Sequence, residues 1–455
     1  MNTNTDTNTN TAQQTVAIFG AYGHTARFLI EEFHERGLGL SLGGRDPVRM
    51  TALAEAHPYA RTHVATVDES ASLDALVAGA ALVVNAAGPF GDTTGPLIEA
   101  ALRAGIHYID ITGEQPVTRH DFETYREPLA ASGLLFLPAL GFFGGLPDLL
   151  ATAAMGDWAA ADDITVAFAL DSWHPTPGTR KAGARSAGKR VTVSGGRLVP
   201  FDYSQDLPTD WDFPAPVGKQ PVHALGTADQ ITISRHLKSP EVRAFMNEAP
   251  LADLRDPHTP APTAASDGGR SAQSWLIDVV VTRGAERRAV SAVGRDIYAV
   301  TAPVVAEAAV RILAGRTLPG GTGSGMRAPG EVFDAEDFLS SIADITWSRR
   351  PAGRPAMRRD SPTGSTPAHT VGETYAVPEA PSTSHARTGR TLISPSTGTS
   401  NDEPPSSGVK APEQDVDVPA LATVLSYVRQ SASVTVPGSP HSAARGSAVK
   451  FISTT

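Results

Sequence analysis

The sequence predicts an α/β chain: an N-terminal parallel sheet with helices on both faces, a second α+β domain, and a long disordered C-terminal tail. Three observations carry this prediction. Residues 15–137 alternate short apolar runs with helical patterns, the signature of strand–helix–strand units. From about residue 146 the apolar runs lengthen and helices become rarer. Beyond about 346 the chain turns rich in Pro, Ser, Thr and Gly, and it holds too little apolar surface to offset chain entropy.

Taken in order, residues 1–14 (MNTNTDTNTNTAQQ) form a polar arm without the basic region and apolar run of a secretory leader. The runs TVAIFG, LGLSL, THVATV, ALVVNAAG, HYIDI and LLFLP are the strands expected of the first domain, 15–150. Between the first two, Ala26, Leu29, Ile30 and Phe33 fall on one helical face. The uncharged stretch from Leu129 to Pro147 holds four Gly and two Pro, so it reads as a buried strand and turn rather than a membrane span. In the second domain, 151–345, LPDLLATAAM leads in as a helix. DITVAFALDS, KRVTVSGG, DQITISRHL, SWLIDVVVTR and RRAVSAVG read as strands. A last helix presents Val305, Ala308, Ala309 and Ile312, with Gly315 as its C-terminal cap. This domain is expected to hold substrate and any homodimer contact. The loop 255–271 is expected to be mobile. In the tail, 346–455, VPALATVLSYV (418–428) is an incidental apolar patch or, alternatively, a short partner-binding helix.

Composition narrows the function. A net charge of -10 with a pI near 5.7 argues against general nucleic-acid binding. The absence of cysteine excludes disulfides, thiolate nucleophiles and Cys-ligated metals, and fits a cytoplasmic protein.

The chemistry begins at VAIFGAYGHTA. A strand enters a turn with Gly20 and Gly23, and a helix follows. Gly20 permits the tight turn, Gly23 lets the backbone approach a pyrophosphate, and Ala26 is small enough for close packing. The spacing is GxxGxxA, a weak signal alone and a stronger one at the head of a βαβ unit. The second strand ends in Leu42, Gly43, Gly44, with no acid to bind a ribose 2′-hydroxyl. Arg45 follows, a forked donor suited to a 2′-phosphate, so NADP(H) is the expected cofactor; a surface arginine paired with Asp46 is the plainer alternative. Asp68 either accepts from the adenine amino group or caps the next helix. Ala87 and Gly88 leave room for the dinucleotide, and Pro89 and Phe90 stiffen the loop beneath the nicotinamide.

The set GAYGHTA, GGRD, NAAGPFG, HYIDITGE and PALGFFGGLPDLL, in this order and spacing, resembles the saccharopine dehydrogenase-like oxidoreductases over about residues 15–155. The second domain resembles them more loosely. The resemblance implies a Rossmann-type domain, NADP(H) and hydride transfer. It also implies a phosphate turn made of Gly20, Tyr22, Gly23, His24 and Thr25. The sequence departs from the pattern at Ala26, where glycine is common.

HYIDITGE closes the fifth strand at the sheet's carboxyl end, where ligands bind in open α/β folds. Tyr108, Asp110 and Glu114 are therefore the candidate catalytic residues; a loop-fixing role is the alternative. GARSAGKR (183–190) is a near-miss phosphate loop, with Arg190 where Ser or Thr holds Mg²⁺ and a strand-like run after it. Lys181, Arg185, Lys189 and Arg190 read as a solvated basic face, or else as the lining of an anion pocket. No tyrosine precedes a lysine by four residues, and neither HExxH nor GxSxG occurs, so no metal site is expected. The expectation is an NADP(H)-dependent oxidoreductase acting on a C=N, C=C or C=O group of a small molecule. A non-catalytic NADP(H)-binding sensor or scaffold is the alternative.

Overall fold

A computed structural model describes residues 14–202, 209–266, 268–318 and 324–350. The arm at 1–13, the tail beyond 350 and the island at 418–428 lie outside the described residues.

The six expected N-terminal strands are β1 (Thr15–Phe19), β2 (Gly39–Gly44), β3 (Arg61–Val64), β4 (Leu82–Asn85), β5 (His107–Asp110) and β6 (Leu135–Leu137). They pair in parallel, in the order β6-β5-β4-β1-β2-β3. The chain order reverses between β1 and β4, which opens a crevice at the strand ends there. Alternation along β1 explains the two faces. Val16 and Ile18 point into one core with Leu29 and Phe33 of α1 (His24–Glu35). Ala17 and Phe19 point into the other, with Leu76 of α3 (Ser70–Val77) and Leu97 of α4 (Phe90–Ala104). Between these helices come α2 (Pro47–Ala56), and after them α5 (Gln115–Ala130) and α6 (Gly145–Met155).

The second sheet is built on β7 (Asp163–Leu170), flanked by β12 (Val242–Asn247) in parallel and β13 (Ser274–Arg283) antiparallel. β13 turns at Gly284 into β14 (Glu286–Arg295), whose helix α10 (Thr301–Leu313) packs on α1. Gly315 ends that helix with φ +67°, as expected of its cap. One apolar core runs unbroken from Ile18 and Leu29 through Leu149 to Phe168 and Ile277, so the two sheets share it.

Three expectations need correction. DQITISRHL is not a strand but helix α8 (Ala228–His236). Gln230 Oε1 accepts the Thr227 N–H at 2.7 Å, half of a capping box. Every residue from Ala228 to Ile233 is buried, so no amphipathic period shows. The domains are not sequential either: β15 (Gly325–Met326) returns to pair with β6 in the first sheet. Finally, the second sheet runs past 345, because β16 (Thr346–Arg350) pairs with β14. The loop 255–271 is irregular and tied down, with Arg27 donating to Gly269 O at 2.7 Å and Arg270 paired with Asp344 at 2.6 Å.

Two buried carboxyls load this core. Asp121 on α5 is 1% exposed, and its Oδ2 has no hydrogen-bond partner among the described residues. Burial, with nearby Asp110, pushes its carboxyl up to about 8; burial pushes Asp229 on α8 up to about 7. A folded-state value above the unfolded one means the native state binds the extra proton, so stability falls as pH rises from the unfolded value to the folded one. Asp121→Asn is therefore expected to melt higher than the wild type. Its advantage should grow by about 2 kcal/mol between about pH 6 and about pH 8.5. Melting curves at both pH values check this. An advantage that stays flat with pH would mean an ordinary, solvated Asp121.

Candidate dinucleotide-binding cleft

β1 delivers the chain to Gly20 at φ +83°, a left-handed conformation. An added Cβ there would sit 2.7–2.8 Å from the Cβ, Cα and N of Ala87, so the turn after β1 touches the loop after β4. The turn is closed by Gly20 and Ala21 N–H groups donating to Gly43 O and by Gly23 N–H donating to Gly20 O at 2.9 Å. Helix α1 starts at His24 with no side-chain cap, which leaves its first N–H groups for a phosphate. Burial lowers the His24 imidazole below its ordinary value, and its Nε2 has no partner among the described residues.

The sequence reads the two glycines at the end of β2 as clearing space for the cofactor beside Arg45; instead they make room for side chains of the protein. A Cβ on Gly43 would strike Leu76, and one on Gly44 would strike the Tyr22 ring. Their role is to let Tyr22 lie across the strand end. Arg45 is exposed on the cleft lip. Its alternative partner, Asp46, is engaged elsewhere: it caps α2, accepting from Val48 and Arg49 N–H at 3.0 and 3.1 Å. Arg49 was not anticipated. It lines the cleft with its guanidinium over the Tyr22 ring at 5.2 Å, a second cation beside Arg45 in the lining. Asp68 also lines the cleft; the cap of α3 is Glu69, which removes the capping alternative for Asp68.

After β4, Asn85 organises the loop. Its Oδ1 accepts from Ala87 N–H at 3.1 Å, and its Nδ2 donates to Thr93, whose hydroxyl donates to Ala87 O at 2.8 Å. Ala87, Gly88, Pro89 and Phe90 all line the cleft.

The three candidate catalytic residues stand behind this wall. Tyr108 and Asp110 have no exposure, Glu114 is 3% exposed, and none contributes to the lining. Asp110 accepts from Thr112 N–H, Ala139 N–H and the Tyr108 hydroxyl at 3.0, 2.9 and 3.1 Å. Burial pushes Asp110 up to about 6 and raises Glu114 too. Glu114 accepts the Phe90 N–H at 2.8 Å, so it fixes the start of α4 under the loop. These contacts position Ile111, Thr112 and Gly113, which do face the cleft.

The opposite wall is shared by the β6–α6 loop and the second domain, and little of it was anticipated. Phe142 and Phe143 come from the β6–α6 loop, and Trp173 follows β7. A strap then carries α7 (Pro177–Ser186) along the cleft. Its near-miss phosphate loop falls at the end of this helix, where no phosphate-binding N-terminus exists. Tyr298 anchors the strap: its hydroxyl meets Trp173 Nε1 at 3.0 Å, Thr176 N–H at 3.3 Å and the Thr179 hydroxyl at 3.0 Å. Its ring stands edge-on to His24 at 5.2 Å, joining strap to phosphate turn. Arg185 reaches Asp92 of α4 at 2.8 Å. The enclosed volume is about 810 Å³. Among the described residues there is no cluster able to hold a metal ion and no helix long and apolar enough to cross a membrane.

Residues 16–136 match the family described as saccharopine dehydrogenase NADP binding domain. "Putative trans-acting enoyl reductase Rv2449c" of Mycobacterium tuberculosis is 32% identical over 133 residues, 28% of this chain and 32% of that protein. The trans-acting enoyl reductase of Mycobacterium ulcerans is 27% identical over the same shares of each chain. The chain thus spans about a third of the length of the curated relatives it matches. Among solved structures, apo saccharopine dehydrogenase (L-Glu forming) from Saccharomyces cerevisiae aligns with TM-score 0.53 at 11% identity, over 74% of this chain and 100% of that one; this is a likeness of fold. The glycine turn pressed against Ala87, the uncapped α1 and the cations at the β2 end all fit the dinucleotide that the family's description names. Residues 16–136 thus match the saccharopine dehydrogenase NADP binding domain family, and NADP is the cofactor that the family's description names.

Proposed function

We propose that the protein is an NADP(H)-dependent oxidoreductase that moves hydride to or from a C=N, C=C or C=O group of a small organic molecule bound between its two domains. One observation carries this reading. The cleft does not end at the cofactor's strand ends but continues against Phe142 and Phe143 of the β6–α6 loop and against Trp173 and Tyr298 of the second domain, leaving room for a second molecule. The bound cofactor supplies the hydride chemistry. Gly20, Tyr22, Gly23, His24 and Thr25 hold the pyrophosphate, Arg45 the 2′-phosphate, Asp68 the adenine edge, and Ala87 to Phe90 the nicotinamide side. Of the three bond types, C=C is the one that fits the names of the mycobacterial relatives.

In this reading Tyr108, Asp110 and Glu114 are positioning residues: Asp110 and Glu114 hold backbone beside the cleft, and Tyr108 donates to Asp110. Asp110→Asn keeps Oδ1 for the Thr112 and Ala139 N–H groups but puts an amide N–H where Oδ2 accepts the Tyr108 hydroxyl. It is expected to slow single-turnover hydride transfer about tenfold, as small misplacements of a reacting group do. NADPH affinity should stay within about twofold. Unchanged transfer rates would reduce Asp110 to a purely structural residue.

The test of the function is NADPH oxidation against a panel of imines, ketones and enoyl compounds. Turnover of one class is expected. The absence of a titratable side chain from the Ile111–Gly113 edge favours the second reading, a sensor that binds NADP(H) without turning it over. Tight NADPH binding with no turnover of any class would establish that reading instead.

A further inference from the structure

The strap holds one more hydroxyl hydrogen than it can use within itself. Trp173 Nε1–H and Thr176 N–H can only donate, and they reach the Tyr298 oxygen at 3.0 and 3.3 Å. Both lone pairs of that oxygen are then taken. Burial raises the Tyr298 phenol above its ordinary value, so the hydroxyl keeps its proton and must donate it. The nearest acceptor is the Thr179 hydroxyl at 3.0 Å; His174 O lies at 3.4 Å. With either acceptor, Thr179 has no lone pair on Tyr298 left to donate to.

Thr176 and Thr179 share one bond, with their hydroxyl oxygens 3.0 Å apart. The Thr176 oxygen also accepts the Thr179 N–H at 3.1 Å, which caps α7. Two hydroxyls bring two hydrogens to this single mutual bond. One hydrogen is left over, on Thr176 or on Thr179, and neither hydroxyl has a further acceptor among the described residues. With Tyr298 donating to Thr179, the oxygen that carries the surplus hydrogen has both lone pairs occupied. It can donate but not accept. Both threonines line the cleft, so the cleft is where a ligand acceptor can meet this hydrogen.

The same tyrosine fixes where the donor stands. Its ring meets the His24 ring at 5.2 Å, and His24 opens the uncapped end of α1. Its hydroxyl meets Thr176 N–H and the Thr179 hydroxyl. One side chain therefore spans from the phosphate turn to the threonine pair. A pyrophosphate lying on the α1 turn takes N–H groups from the first domain and leaves its outward oxygens facing this wall. Those oxygens accept and do not donate, which is the complement of a hydroxyl that donates and does not accept.

We propose that the Thr176–Thr179 pair donates a hydrogen bond to an outward oxygen of the cofactor's pyrophosphate, so that the second domain grips the cofactor that the first domain cradles. The inference rests on reading the α1 turn as the pyrophosphate site and adds a contact from the opposite wall. A hydrogen bond to an ionised oxygen inside a cleft outweighs one in open water. Tyr298 acts through the pair as a positioning residue, because it sets the direction in which the hydroxyls donate.

The test uses the full chain and two ligands, NADP⁺ and 2′-AMP, with binding read by calorimetry beside melting curves. The second ligand carries the adenosine and its 2′-phosphate but no pyrophosphate. Thr176→Asp separates donation from capping, because aspartate caps a helix as well as threonine does. A merely structural Thr176 leaves both affinities and the melting temperature unchanged. As a donor site, the variant puts a carboxylate where the hydrogen was. NADP⁺ is then expected to weaken at least about tenfold and 2′-AMP to stay within about twofold. Thr176→Val combined with Thr179→Val removes both hydroxyls and should weaken NADP⁺ about tenfold, while Thr176→Ser combined with Thr179→Ser keeps them and should stay within about twofold of the wild type. Unchanged NADP⁺ affinity in Thr176→Asp overturns the proposal, as does a valine pair that folds and binds NADP⁺ like the wild type. Equal weakening of NADP⁺ and 2′-AMP in Thr176→Asp overturns it too, since the effect would not belong to the pyrophosphate. A wild type that fails to bind NADP⁺ removes the cofactor reading of the cleft and this proposal with it; a wild type that binds while the variants match it removes the proposal alone.

Discussion

Gly20→Ala is expected to lower NADPH affinity by at least about a hundredfold and to lower the melting temperature as well, because two costs coincide at one position. The backbone at Gly20 sits at φ +83°, where an L side chain costs about 1–2 kcal/mol by itself. The new methyl would also sit 2.7–2.8 Å from the Cβ, Cα and N of Ala87. Two of those three atoms are backbone, and they cannot swing aside as the end of a flexible side chain can. Either the turn leaves β1 or the Ala87–Phe90 loop moves outward, and both form the floor on which the dinucleotide lies. Gly37 supplies the control. It has φ +74° with nothing within 4 Å of an added Cβ, so Gly37→Ala pays only the backbone cost. Fluorescence titration of NADPH alongside melting curves separates the two variants. Equal NADPH affinity in Gly20→Ala and Gly37→Ala would show that the contact between Gly20 and Ala87 does not shape the cofactor site.

The first sheet was legible in the sequence because its signals are local. Each strand is one apolar run, each helix one periodic face, and the turn after β1 announces itself through two glycines. The second domain was less so. β11 (Lys219–Ala224) carries Lys, Gln, His and a proline, and β16 reads TWSRR beside a Pro-rich stretch, so neither looks like a strand until its partner is known. The α8 helix failed for the opposite reason: burial on all sides erases the period that distinguishes a helix.

The candidate site divides in the same way. The turn glycines and the loop after β4 line the cleft and are readable in the sequence because each is contiguous. The candidates on β5 stand behind the cleft wall. Tyr108 and Asp110 share one face of a strand, by the two-residue period, and that face looks into the core with Leu97 and Phe122 rather than out of the strand end. The residues that do emerge are Ile111 to Gly113. Trp173 and Tyr298 are 125 residues apart, and only the folded chain brings their side chains together. Arg49 was within reach of sequence reasoning. It lies four residues after Arg45 in the first turn of a helix that begins at Pro47, so it had to point back toward the same strand end.

Arg49 changes what should be expected of Arg45. In the proposed reading the two cations share one anion, so neither alone accounts for the choice between NADPH and NADH. A charge-assisted hydrogen bond contributes roughly 1.5–3 kcal/mol, and Arg45 lies exposed, so the lower end applies. Arg45→Ala is expected to weaken NADPH about tenfold and to leave NADH within about twofold. Arg49→Ala should weaken NADPH less, because its guanidinium also rests on the Tyr22 ring and Asp46, and part of its effect is spent on the loop. Removing both should bring the loss to about thirtyfold and leave NADPH and NADH nearly equivalent. Raising the salt should shrink the wild-type preference and have little effect on the double variant, since only the phosphate contact is screened. Titration of both cofactors into the wild type and the three variants, at low and high salt, checks every part. Equal weakening of NADPH and NADH in Arg45→Ala would make Arg45 a loop residue. A wild type that holds NADH as tightly as NADPH would mean that the cations at the end of β2 read no phosphate at all.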